Sequence, residues 1–125
     1  MLKKLLPVTC LPLLLVGCTT TITNLTPHQQ VRNSNNLYPV EVALSSRQQS
    51  LQWDSIQPKI VVGDETYPMH RTQLMTNRWE GFVPIPKDKG WVYYRYRFDY
   101  NTMAVGHLKA DNTVSKEYPL RIVDK

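Results

Sequence analysis

Trp91-Val92-Tyr93-Tyr94-Arg95-Tyr96-Arg97-Phe98-Asp99-Tyr100 decides the fold of this chain. Val92, Tyr94, Tyr96, Phe98 and Tyr100 share one parity, and Trp91, Tyr93, Arg95, Arg97 and Asp99 the other. Successive strand side chains point to opposite faces, so this stretch reads as a strand with one face in a core. Tyr38, Val40, Val42 and Leu44 repeat the pattern, with Pro39 at a strand start or edge. Lys59–Val62 and Thr66–Met69 flank Gly63-Asp64-Glu65 and read as a hairpin. Arg78–Ile85 is a further strand with Gly81 as a bulge, ended by Pro84, Pro86 and the turn Lys87–Gly90. Val114–Val123 closes the domain, with Tyr118, Leu120 and Ile122 on one face.

Pro27–Asn36 and Ser46–Gln57 carry turn residues and no clean period, and read as loops. Asn101–Thr113 reads as a loop or as an extra hairpin on the core edge. No amphipathic stretch is long enough for a helix. Six or seven strands separated by Pro, Gly and Asn turns argue for an all-β antiparallel sandwich. The order resembles immunoglobulin-like and fibronectin type III-like domains over residues 22–123. Lys89-Gly90-Trp91-Val92-Tyr93-Tyr94 resembles the turn that enters the penultimate strand there, which implies a tyrosine corner at Tyr94. The Cys–Trp–Cys pattern of antibody domains is absent.

The first residues give an address. Met1-Leu2-Lys3-Lys4 is basic, and Leu5–Val16 is apolar but shorter than the about 20 residues of a membrane-spanning helix. A charged start, a short apolar run and small residues before a cut make a secretory signal. Leu15-Val16-Gly17-Cys18 resembles the lipobox of bacterial lipoproteins. That resemblance implies removal of residues 1–17 and acylation of Cys18. One acyl chain binds membranes marginally and two or more bind durably, so the lipoprotein pattern implies a stable anchor. Thr19 and Thr20 follow the Cys, and neither is Asp, a pattern that implies the outer membrane in Gram-negative cells. Residues 18–21 then form the lipidated Cys with a short tether, although Thr19–Asn24 also reads as a first strand. Residues 22–125 form the domain, near the common size for one core.

The whole chain carries a formal charge of +5, and loss of Lys3 and Lys4 leaves it mildly basic. That suits loose attraction to anionic surfaces rather than a polyanion groove. Cys10 leaves with the signal, and an acylated Cys18 has no free thiol. A disulfide, a Cys-ligated zinc and a Cys nucleophile are thereby excluded.

The expected site list contains no catalytic residue, metal or cofactor. His28, His70 and His107 lie in separate segments without metal-ligand spacing. Asp64 and Glu65 are adjacent in a turn, and Glu80 and Asp99 could meet across a sheet as part of ion pairs. No serine sits in a nucleophile elbow or a Ser-x-x-Lys motif. The aromatic and cationic parity set Trp91, Tyr93, Arg95 and Arg97 is the first candidate binding face, through stacking and cation–π contacts. Cross-strand pairing on a solvated sheet explains the same residues. Met103, His107 and Leu108 form the second candidate, a binding loop at one end of a sandwich. The expected function is a non-enzymatic, lipid-anchored envelope module that binds another envelope protein or assembly. The alternative is a carbohydrate-binding lipoprotein that uses the Trp91/Tyr93 face. An envelope address removes nucleic acid from reach.

Overall fold

A computed structural model describes residues 20–124. Two sheets face each other. The first runs β1 (Thr20–Asn24), β3 (Leu37–Ser46), β7 (Arg78–Pro84), β6 (His70–Arg71). The second runs β2 (Gln29–Val31), β10 (Tyr118–Val123), β8 (Trp91–Ala104), β4 (Gln57–Val62), β5 (Glu65–Pro68), with β9 (His107–Val114) also on β8. All pairs are antiparallel except β2 with β10. This is an all-β sandwich of two packed sheets.

Parity builds the core. Tyr38, Val40, Val42 and Leu44 of β3 are buried, and so are Tyr94, Tyr96 and Phe98 of β8. Trp79 of β7 meets Phe98 edge-on, with ring centroids 5.6 Å apart and planes at 72°. Leu120 and Ile122 of β10 close the same core.

A polar network crosses the layer beside it. Tyr96 Oη donates to Asn24 Oδ1 at 2.6 Å, and Asn24 Nδ2 donates to Tyr94 Oη at 2.9 Å. Thr26 Oγ1 lies 3.2 Å from Tyr96 Oη and accepts the Glu41 N–H at 2.8 Å. Tyr94 therefore makes no tyrosine corner: its hydroxyl reaches β1 rather than backbone just upstream, because Asn24 offers a donor across the sandwich. Burial drives the Tyr96 phenol far above its ordinary value near 10. The folded chain therefore keeps a proton that unfolded Tyr96 loses above about pH 10, and stability falls as the pH rises past that point. Tyr96→Phe should lose about 1–3 kcal/mol at neutral pH, because Asn24 Oδ1 loses its 2.6 Å donor and keeps only the Thr26 N–H at 3.3 Å. It should also flatten the alkaline decline. Denaturant midpoints between about pH 8 and about pH 11 read both effects, and an unchanged alkaline slope would contradict this assignment.

Among the described residues ten strands stand where the sequence suggests six or seven, because several are short or lack alternation. The Pro27–Asn36 segment contains β2, which adds three residues to β10 in parallel. Ser46–Gln57 is irregular as read, with a 3-10 turn at Trp53–Ser55, yet it buries Leu51 and Ile56. Thr20 and Thr21, assigned to a tether by the sequence, pair in β1 with Ser46 and Ser45.

Gly81 is not a bulge, since the β3–β7 register runs straight through Val40 and Gly81. Its missing side chain serves close approach instead: an added Cβ would stand 3.0 Å from Pro68 O and 3.1 Å from Ile60 Cδ1. The true irregularity lies at Ser115–Glu117. Arg97 pairs with Val114 and Tyr94 with Tyr118, so four steps on one side face three on the other. Ser115 stabilises the bulge with its own groups. Its N–H donates to Tyr96 O at 2.9 Å, and its Oγ accepts the Tyr96 N–H at 2.9 Å.

Asn101–Thr113 is a hairpin and not a loop. β8 continues to Ala104 and returns as β9 through Val105-Gly106, with φ of 43° and 81°. Two positive φ values match the primed turns that suit twisted hairpins.

Candidate functional site

Trp91 and Tyr93 are half-exposed, at 50% and 56%. Their rings lie 6.3 Å apart with planes 19° from parallel. Arg121, the register partner of Trp91 on β10, places its guanidinium 5.6 Å from the Trp91 ring. The cation on this aromatic pair is thus Arg121 rather than Arg95 or Arg97. Arg95 pairs with Glu117 at 3.6 Å and Arg97 with Asp99 at 3.0 Å, while Lys59 reaches Asp99 at 3.5 Å. The expected four-residue face is therefore two adjoining patches, one aromatic and one a ladder of ion pairs. The outward parity of Arg121 was legible from its place between inward-facing Leu120 and Ile122, but its pairing with Trp91 was not.

The hairpin brings Met103, His107 and Leu108 together near its turn, where all three are exposed. A two-residue turn makes the flanking pair Ala104–His107 mutually hydrogen-bonded, and pairs alternate from there. Asn101 and Met103 on β8 then turn their backbone groups away from β9. Both are covered: Gln52 N–H donates to Asn101 O at 3.0 Å, and Met103 N–H donates to Ser50 O at 2.8 Å. By the same alternation Leu108, Ala110, Asn112 and Val114 turn theirs away from β8. Asn112 N–H is held locally by Asp111 Oδ1 at 2.8 Å. Among the described residues no strand pairs with this outer edge of β9. The hairpin is stapled on one side and open on the other.

Two clefts accompany these surfaces. One of about 370 Å³ lies beside the hairpin, lined by Ser55, Gln57, Arg97, Asp99, Asp111 and Asn112. Its charged groups are already paired or solvated. The other, of about 360 Å³, opens between the sheets at Leu25, Pro27, Val31 and Pro39, with Glu41 and Glu80 at its polar side. Neither cleft aligns a nucleophile with a base.

The remaining candidates stay apart. His70 lies on β6 beside Glu80 at 3.5 Å, His28 precedes β2 and His107 opens β9. Glu80 and Asp99 sit in different sheets, so they do not meet. Among the described residues no three His, Cys, Asp or Glu gather as a metal site. Cys18 and the sequence Leu15-Val16-Gly17 lie outside the described residues. No helix among the described residues is long and apolar enough to cross a membrane. No protein-family model matches the chain, and neither a curated protein nor a solved structure matches it.

Proposed function

We propose that this chain is a non-enzymatic module, anchored in the cell envelope by lipid on Cys18, that holds an envelope protein by accepting its strand along β9. The observation that carries this reading is the open outer edge of β9, eight residues long, on a hairpin whose other side is already stapled. Strand addition draws its affinity from main-chain hydrogen bonds and its specificity from flanking side chains. Lys109 and Asp111 on the edge discourage indiscriminate pairing, while Leu108 and Val114, both exposed, offer apolar contacts. The residues after Cys18 favour the outer membrane in a Gram-negative cell.

Ala110→Pro tests the reading. Its N–H faces outward, so proline removes a docking donor and leaves the β8–β9 ladder intact. Affinity-tagged full chain, extracted from membranes in mild detergent, should recover a discrete partner. Ala110→Pro should reduce that recovery about tenfold, the equivalent of one hydrogen bond and its strain, with the melting temperature little changed. Undiminished recovery would refute docking at β9.

The near-parallel, half-exposed rings of Trp91 and Tyr93 favour a second reading, polysaccharide binding. It differs in the residue it needs. Trp91→Ala would abolish retention on envelope polysaccharide, whereas Ala110→Pro would leave it unchanged.

A further inference from the structure

The two most exposed apolar side chains of the domain are Leu74 and Val105, each 97% exposed. Both occupy the left-handed region, with φ of 65° and 43°. That region suits Gly, Asn or Asp, and a bulky or β-branched residue there is strained. Each tip thus carries an apolar side chain where a polar or smaller residue would fit the backbone better and water equally well. Strain of this kind persists where something other than folding retains it.

The two tips lie at one end of the sandwich. Ala43 pairs with Arg78 at the start of β7, so the Thr72–Asn77 turn that bears Leu74 projects beyond that level. Gln57 pairs with Asp99 at the start of β4, and the hairpin runs on past it to Val105. Arg71 Nη2 donates to Trp53 O at 2.9 Å and joins the first turn to the segment that staples the hairpin. Met103 and Leu108, about half-exposed, flank Val105.

The first described residue is at the same end. Thr20 pairs with Ser46, the last residue of β3, and Thr20 and Ile22 share a groove with Thr113 and Val114 of β9. Cys18 is only two residues upstream. Two extended residues span at most about 7 Å, so a lipid there holds this end, and not the Trp91 end, close to the bilayer. The exposed charges of the end are mixed, Arg47 and Lys109 against Asp54 and Asp111. Contact with lipid is therefore apolar rather than electrostatic.

We infer that the loop end of the sandwich rests on the bilayer, with Leu74 and Val105 inserted into its interface. This inference depends on lipidation of Cys18. Two side chains would bind a membrane weakly from solution, but a tether makes the contact intramolecular and raises its effective concentration. The contact fixes the orientation: Trp91, Tyr93 and Arg121 point away from the membrane, and the β9 edge stands upright beside it.

Full chains with Leu74→Cys, Val105→Cys or Tyr93→Cys, produced with their leader and extracted from membranes, test this orientation. Acylation occupies the Cys18 sulfur and cleavage removes Cys10, so the new thiol is the one that reacts. An environment-sensitive fluorophore is attached, and the chains are placed in vesicles of phosphatidylethanolamine and phosphatidylglycerol. The probes at positions 74 and 105 should shift to the blue and be quenched by brominated lipid, while the probe at 93 keeps its aqueous emission. Aqueous emission at all three positions on vesicle-bound chain overturns the orientation alone. Labelling of the unsubstituted chain, which reveals a free Cys18 thiol, overturns the anchor and the orientation together.

Discussion

Phe98→Ala should cost the domain about 3–5 kcal/mol, the largest loss expected from any single side chain of β8. Phe98 is fully buried, and its ring packs edge-on to Trp79 across the two sheets. Truncation removes that aromatic contact and opens a cavity in a layer where Tyr96, Ile60 and Leu44 are also fully buried. A domain of this size is stable by only about 5–15 kcal/mol, so the melting temperature should fall by roughly 10–30 °C. Arg97→Ala, one residue away, is the control. Arg97 lies on the outer face and pairs with Asp99, which has a second cation in Lys59. Exposed pairs of this kind are worth about 0–1 kcal/mol. Calorimetry on both variants tests the register, and equal small losses would show that β8 is turned the other way.

Cys18→Ser should either release the chain almost completely from the membrane fraction or leave the precursor uncut. Serine has no thiol to carry the thioether on which lipoprotein processing depends, and the apolar run Leu5–Val16 is too short to span a bilayer as a helix. If Cys18 is lipidated as proposed, the wild type should stay with membranes through washing, since durable attachment needs more than one chain. Fractionation with high-salt and carbonate washes reads the difference. A Ser variant that is cut and remains membrane-bound like wild type would refute the anchor.

The sandwich was legible in the sequence wherever one strand face is buried and the other wet. β3 and β8 show this alternation from Tyr38 to Leu44 and from Val92 to Phe98, and both bury the expected parity. The hairpin could not be told from a loop for the opposite reason. Seven of the eight residues of β9 are exposed, so no apolar period marks it, and its turn carries Val105 rather than the Asn or Asp expected before Gly. β2 was hidden by its length of three residues. The bulge was assigned to Gly81 and the one at Ser115 was missed, because a glycine inside a strand signals either a bulge or a close approach, and only the neighbouring Pro68 carbonyl decides between them. The aromatic half of the binding face was visible, whereas its cation, Arg121, comes from a strand whose register with Trp91 no local pattern encodes.

Hydrogen exchange along β9 distinguishes strand addition from docking elsewhere, comparing the membrane-extracted complex with the same chain stripped of its partner. In the stripped chain His107, Lys109 and Thr113 should already exchange slowly, because their amides face β8, while Leu108, Ala110 and Val114 exchange fast. Strand addition predicts that the second set slows by at least tenfold in the complex and the first set hardly changes. Outward amides that exchange equally fast in both samples would contradict partner docking on β9.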